Sequence, residues 1–232
     1  MAKKGGSPHL KRLAASASVP IRRKEAVWLT KQMPGAHGKK SSISLAVLLR
    51  DILKIADSSK EAKNIINNGN VLVDGKVVRE AKFPVGIMDV VSLPKLNKSY
   101  KVTVDNKGRL KLVEINEDKA KFKLCRVNRK ITSKGGKIQV GLHDGRTIFG
   151  DNSYKVGDTV KLSIPKQEVL RVLKLEPNAK CLIIKGRHSG ELATVDELYP
   201  SSATRKAEAK LHFDNTSFIT VRGYLFVVGD EF

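Results

Sequence analysis

The stretch Asn70-Val71-Leu72-Val73-Asp74-Gly75-Lys76-Val77-Val78 sets two runs rich in β-branched residues on either side of Asp-Gly. Asp-Gly suits a two-residue turn with positive φ at both positions, so the stretch predicts a β-hairpin. Just upstream, Ser58-x-x-Glu61 is a capping box that opens a helix with Ala62, Ile65 and Ile66 on one face. Gly69 is its C-terminal stop. Before it, residues 44–56 place Leu45, Leu48, Leu49, Ile52 and Ile55 or Ala56 at helical spacing. After the hairpin, a turn around Pro84 and Gly86 leads to a strand, Ile87 to Leu93. Residues 42–97 therefore predict one small unit: helix, helix, hairpin, strand.

The remainder is short strands and turns. Tyr100–Val104 and Arg109–Val113 flank Asp105-Asn106-Lys107-Gly108, and Lys137–Leu142 and Arg146–Phe149 flank Asp144-Gly145. Thr159–Ile164, Glu168–Leu173, Lys180–Ile184 and Glu191–Val195 follow, then Leu211–Phe213, Phe218–Val221 and Tyr224–Val228. Strands at this frequency suggest small barrels. The expected fold is α+β, multi-domain and β-rich: the helix-pair unit, then two small barrel-like β domains at 98–172 and 173–232.

The chain has 232 residues, with 44 Lys+Arg against 23 Asp+Glu and a net charge of +21. So large an excess opposes compaction and answers an anionic partner. At 41% hydrophobic the chain can still build cores, and with 5% aromatics these will be aliphatic. Cys125 and Cys181 lack CxxC spacing, which argues against a disulfide framework or a cysteine zinc site. The basic start has no apolar stretch behind it, and no run approaches the ~18 residues of a membrane span, so a cytoplasmic protein with no membrane partner is expected.

The charge is concentrated in two segments. Residues 1–40 carry ten basic residues and one acid, Glu25. They read as an extended basic N-terminal tail, 1–41, without enough apolar surface to fold alone. Its candidate RNA contacts are Lys3, Lys4, His9, Lys11, Arg12, Arg22, Arg23, Lys24, Lys31, His37, Lys39 and Lys40. Trp28 is placed to pack on a base or in a protein crevice. The second cluster runs Lys119, Lys121, Lys123, Arg126, Arg129, Lys130, Lys134 and Lys137 with no acid between. In KAKFKLCRV the charges alternate with Phe122, Leu124 and Val127, which predicts a strand with a phosphate-facing row of cations. Residues 177–232 carry seven charges of each sign; this neutral segment is expected to face a protein neighbour.

Catalytic patterns are missing. Lys134-Gly135-Gly136-Lys137 is followed by Ile138 and so is not a P-loop, and Gly35-Ala36-His37-Gly38-Lys39 fails on spacing. His143-Asp144 reads as a turn. No enzyme, metal, cofactor or small-molecule substrate is expected.

The helix pair with Gly69-Asn70-Val71-x-Val73-Asp74-Gly75-Lys76 resembles the S-four RNA-binding domain of small-subunit ribosomal proteins, pseudouridine synthases and tyrosyl-tRNA synthetases. The resemblance implies RNA contacts at Arg50, Lys54, Lys60 and Lys63, the lysines acting as point charges. Lys185-Gly186-Arg187-His188-Ser189-Gly190-Glu191-Leu192-Ala193-Thr194-Val195, behind Leu182-Ile183-Ile184, is similar to a KOW motif. That likeness implies RNA contacts at Lys185, Gly186, Arg187 and His188.

Other stretches extend the likeness to most of the chain. They include His9-Leu10-Lys11-Arg12, Pro34-Gly35-x-His37, Pro84-x-Gly86-x-Met88-Asp89-Val90, Lys107-Gly108-Arg109, Ala120 through Val127, His143-Asp144-x-Arg146-Thr147-Ile148, Lys155-Val156-x-Asp158-Thr159 and Asn215-x-Ser217-Phe218. In this order they resemble the archaeal and eukaryotic small-subunit ribosomal proteins of family 4e. That resemblance implies assembly on small-subunit ribosomal RNA beside neighbouring ribosomal proteins, without catalysis. Ending at Phe232, without the basic extension of eukaryotic members, points to an archaeal source. The alternatives are a non-ribosomal RNA-binding KOW factor in transcription or RNA processing, and an RNA-modifying enzyme with an appended S-four domain.

Overall fold

A computed structural model describes residue 7, residues 9–213 and residues 216–229. The candidates Lys3 and Lys4, and Asn215 of the last matching stretch, lie outside them, as does the side chain of Lys134.

The first helix starts at Leu45–Val47 and continues as a wider π turn, Leu48–Ile52. The second, Ser59–Asn67, is opened by the predicted box: Glu61 N–H donates to Ser58 Oγ at 3.2 Å. The Glu61 carboxylate reaches back one residue further than the motif predicts, to Asp57 N–H at 2.9 Å. Leu45, Leu48, Leu49, Ala62 and Ile66 are buried, as their spacing requires. The hairpin pairs Leu72–Val73 with Lys76–Val77, and its turn has φ +50° at Asp74 and +71° at Gly75.

Three five-stranded antiparallel sheets make up most of the rest. In the first, the hairpin continues through Val90–Leu93 to Lys98–Val104 and Leu110–Ile115. The border expected at 97/98 therefore falls inside a sheet: Lys98–Val104 and Leu110–Ile115 are joined to the hairpin through Val90–Leu93. In the second sheet, the long strand Phe122–Thr132 pairs with both Ile138–Leu142 and Thr159–Ser163. In the third, Lys180–Ile183 lies between Leu192–Tyr199 and Leu225–Val227, with Glu208–Phe213 and Thr216–Val221 outside. The fold is thus β-rich, α+β and multi-domain.

The N-terminal arm does not stand off. Leu10–Lys11 pairs with Trp28–Leu29, and Leu10, Ala15, Val19 and Leu29 join the core of the helix pair. The small apolar supply that rules out independent folding is enough for a segment that borrows another unit's core. The sheets also share a cluster: Val104 of the first with Ile87 and Met88 from the turn before Val90, Leu124 of the second, and Leu182 and Phe226 of the third with Val228 just after it.

Candidate nucleic-acid interface

The basic candidates divide into cations held inside the protein and cations left at its surface. Lys123 is inside, at 1% exposure. Its ammonium donates to Asp89 at 2.6 Å, Asp74 at 2.8 Å and Asp144 at 3.0 Å. Arg146 closes the far side at 2.6 Å from Asp74 and 3.3 Å from Asp144. His37 Nε2 lies 2.9 Å from Asp89. Asp74 is supplied by the hairpin turn, Asp89 by the turn before the third strand, Asp144 by the turn of the central sheet, and His37 by the arm. Three segments therefore converge on one ammonium, and the arm braces one of them through His37.

Burial alone would pull the Lys123 ammonium down, yet Asp89 and Asp74 hold it well above the ordinary lysine range. Burial works against Asp89 and Asp144 too, but Lys123 keeps both below the usual carboxylate range. Asp74 is pushed up by burial and by neighbouring Asp89. Three carboxylates share one ammonium, and Asp74 is the one least favoured as an anion. A buried cation with three acids is costly to leave unpaired, so this group fixes geometry between units. Lys123 is not part of a phosphate-facing strip.

His37 is likewise buried, its ring over Gly86, where a Cβ would lie 2.3 Å away. Arg12 is 2% exposed and donates to the Arg22 carbonyl at 2.6 Å, Glu25 at 3.2 Å and Asp51 at 3.4 Å. It fastens the arm to the first helix. Arg126 donates to the carbonyls of Gly223 at 2.7 Å and Leu225 at 3.1 Å, while Arg222 returns a bond to Val156 O at 2.6 Å. The two arginines clamp the central and C-terminal sheets. For Lys123, His37, Arg12 and Arg126 the expectation of an RNA-facing side chain is corrected to a structural one, because carboxylates or carbonyls already satisfy each.

Other candidates are exposed: Lys11, Arg22, Arg23, Lys24, Lys39 and Lys40 on the arm, Lys54, Lys60 and Lys63 on the helices. Lys119, Lys121, Arg129 and Lys137 are exposed around the central sheet, and Lys185, Gly186 and Arg187 in the C-terminal turn. Some carry local contacts. Lys121 pairs with Asp118 at 2.7 Å, Arg23 donates to Leu13 O at 3.1 Å, and Lys31 donates to Ser7 O. Arg50 is held by Asp51 and Ser59, and Lys130 by Asn152. Trp28 is half exposed, with the His9 ring edge-on at 5.2 Å and Lys11 above it.

The two turn glycines of Lys185–Val195 have different duties. Gly186 (φ +104°) faces open space except for Tyr224 at 3.9 Å. At Gly190 (φ +85°) a Cβ would stand 2.7 Å from the Asp105 carbonyl carbon and 2.8 Å from Asn106 N. Gly190 is therefore a packing residue: it lets the turn rest on the tip of the first sheet. His188 is pinned by Glu191 at 2.9 Å and stacked on Phe218 at 4.0 Å. The close approach of Gly190 to Asp105 and Asn106, and of Ser189 to Gly108, sets the turn that carries Lys185 and Arg187 against the turn bearing Lys107 and Arg109, both exposed. These two were not among the sequence candidates, although Lys107-Gly108-Arg109 was conspicuous as a basic turn.

Cys125, His143 and Asp144 present possible metal-ligand atoms within 4.8 Å of one another. The donor set is already committed. His143 Nδ1 accepts from Arg126 N–H at 3.1 Å, and Nε2 lies 3.1 Å from the Ile87 carbonyl, to which it donates. Asp144 binds Lys123, and burial pushes the Cys125 thiol well up. A cation here would compete with an ammonium already in place. Among the described residues no helix is long and apolar enough to cross a membrane.

Comparison with known proteins agrees with this architecture. Residues 96–169 match the ribosomal family S4e, residues 45–91 the S4 domain and residues 4–40 the RS4NT (NUC023) domain. The small ribosomal subunit protein eS4 of Methanothermobacter thermautotrophicus is 43% identical over 224 residues, covering 96% of this chain and 93% of that protein. Its counterpart in Methanocaldococcus jannaschii is 44% identical over 246 residues, covering 100% and 98%. The crystal structure of the 30S ribosomal protein S4e from Thermoplasma acidophilum superposes with a TM-score of 0.71 at 36% identity, over 82% of this chain and 95% of that one. Full-length identity at this level, with the same fold, places the chain in the eS4 family of small ribosomal subunit proteins, a structural component of the ribosome and not an enzyme.

Proposed function

We propose that the chain binds small-subunit ribosomal RNA by neutralising phosphates with the exposed cations, and that this supports subunit assembly and translation. The observation that carries it is the sorting of charge. Among the described residues, Asp74, Asp89, Asp144, Asp51 and Glu25 are held by buried or clamping cations, whereas exposed Arg22, Lys24, Lys39, Lys40, Lys60, Lys63, Lys137, Lys185 and Arg187 have no acidic partner. A surface serving only solubility mixes both signs. Lys107 and Arg109 join Lys185 and Arg187 in this reading, as one basic rim across two units. The neutral C-terminal sheet, with Ile219 exposed on its outer strand, is the face assigned to a neighbouring ribosomal protein.

The test is affinity for a small-subunit ribosomal RNA transcript at several salt concentrations. Engagement of six to ten phosphates predicts a fall of about 10³–10⁵ between 50 and 200 mM salt, taking duplex DNA as the guide. Affinity insensitive to salt would refute the reading.

A further inference from the structure

Between the arm and the helix pair lies a cleft of about 680 Å³, lined among others by Trp28, Arg22, Arg50 and Lys54. This is within the range of about 300–1,000 Å³ typical of small-ligand sites. We infer that this cleft takes one unstacked RNA nucleotide, its base against Trp28 and its phosphate on Arg22 and Lys54. The inference rests on the RNA-binding reading and adds to it a discrete site.

Three observations carry it. First, the floor is built and neutral: buried Arg12 holds Glu25 and Asp51, and Asp51 also holds Arg50 at 2.8 Å. The charge left for a ligand is that of Arg22 and Lys54, whose side chains make no hydrogen bond or ion pair among the described residues, against the single acid Asp57. Exposed Asp57 at the rim offers an acceptor to a base amino group.

Second, Lys54 sits at φ +53°, just past the end of the first helix. Glycine or asparagine takes that left-handed position at least cost. A lysine there accepts backbone strain to place an ammonium at the cleft, as residues at ligand clamps do. Third, Trp28 leaves 54% of its surface exposed although strand pairing fixes its backbone. An indole held this way is a stacking platform for an unpaired base, and unpaired bases are what proteins read in RNA.

Trp28 is the single tryptophan of the chain, so its fluorescence reports the cleft directly. The experiment titrates the full-length protein with an archaeal small-subunit ribosomal RNA transcript. Tryptophan emission and filter-retained complex are followed together for the wild type and Lys54→Gly; Trp28→Ala, which has no tryptophan left, is followed by filter-retained complex alone. Lys54→Gly removes the ammonium and relieves the strain, so its melting temperature stays level or rises. Quenching that saturates with complex formation is expected. Trp28→Ala should weaken binding about five- to a hundredfold, and Lys54→Gly should lower the salt slope by about one. Complex formation with unchanged emission and undiminished affinity in both variants overturns the cleft and leaves the surface reading intact. No complex at all overturns both.

Discussion

Lys123 Nζ lies 2.6 Å from Asp89 Oδ1 across the boundary between the central sheet and the helix-pair unit, with both side chains almost fully buried. Replacing Lys123 with Met leaves Asp74, Asp89 and Asp144 without their shared cation. We expect a loss of about 3–5 kcal/mol in stability, measured by denaturant unfolding. A Lys123→Met protein as stable as the wild type, but impaired in RNA binding, would return Lys123 to the surface.

Charge removal at exposed sites should behave oppositely. Lys60, Lys63, Lys137 and Lys185 changed together to Ala should leave stability within about 0.5 kcal/mol per site. The slope of log affinity against log salt should shrink by about 3–4. An unaltered slope would mean that these four lysines meet no phosphate.

Acid sensitivity has a specific source. Burial, then the nearby Lys123 ammonium, lowers His143 from 6.5 to about 4. The unfolded chain therefore binds a proton that the folded chain refuses, and stability falls as pH drops from about 6.5 to 4. The shift corresponds to roughly 3 kcal/mol. The depressed Asp89 and Asp144 add losses only below about 3.9, while the raised Asp74 works the other way. His143→Gln should flatten unfolding free energy over pH 6.5–4; persistence of the full slope would assign it elsewhere.

Gly190→Ala and Gly135→Ala make a matched pair. Both positions have positive φ, +85° and +79°, but a Cβ at Gly135 meets nothing within 4 Å. Each substitution bears a backbone cost of about 1 kcal/mol or more. Gly190→Ala should cost at least about 1 kcal/mol beyond that and raise amide exchange at Asp105–Gly108. Equal costs would show that the turn does not rest on the first sheet.

The hairpin, the capped helix and nearly all later strands were legible because their signals are local: Asp74-Gly75, Ser58 with Glu61, short β-branched runs between turns. The partner of a strand is not local, so the pairing of Lys98–Val104 with Val90–Leu93 across the 97/98 border is not visible in the sequence. Lys123 failed for a different reason. Cations and apolar residues alternate only through Leu124, and strict parity puts Lys123 on the same side as Cys125 and Val127, both buried. Leu124, on the other side, is buried as well, so this strand is covered on both faces and its lysine must be internal. Arg126 and Arg12 were unreadable as clamps, because their carbonyl partners are backbone atoms that composition cannot reveal. Trp28 stands out in the sequence as the single tryptophan, but the cleft beside it depends on two segments meeting.

The shared ammonium also orders events in time. Asp74 and Asp89 precede Lys123 by 49 and 34 residues. During synthesis both acids leave the ribosome before the cation that satisfies them exists. Until the central strand arrives, the helix-pair unit carries two carboxylates without their ammonium, held only by His37 and the Gly86 N–H at Asp89 and by the Val90 N–H at Asp74. Its final closure is therefore a late, vectorial event, and a fragment ending near residue 97 would lack the group that lets it close.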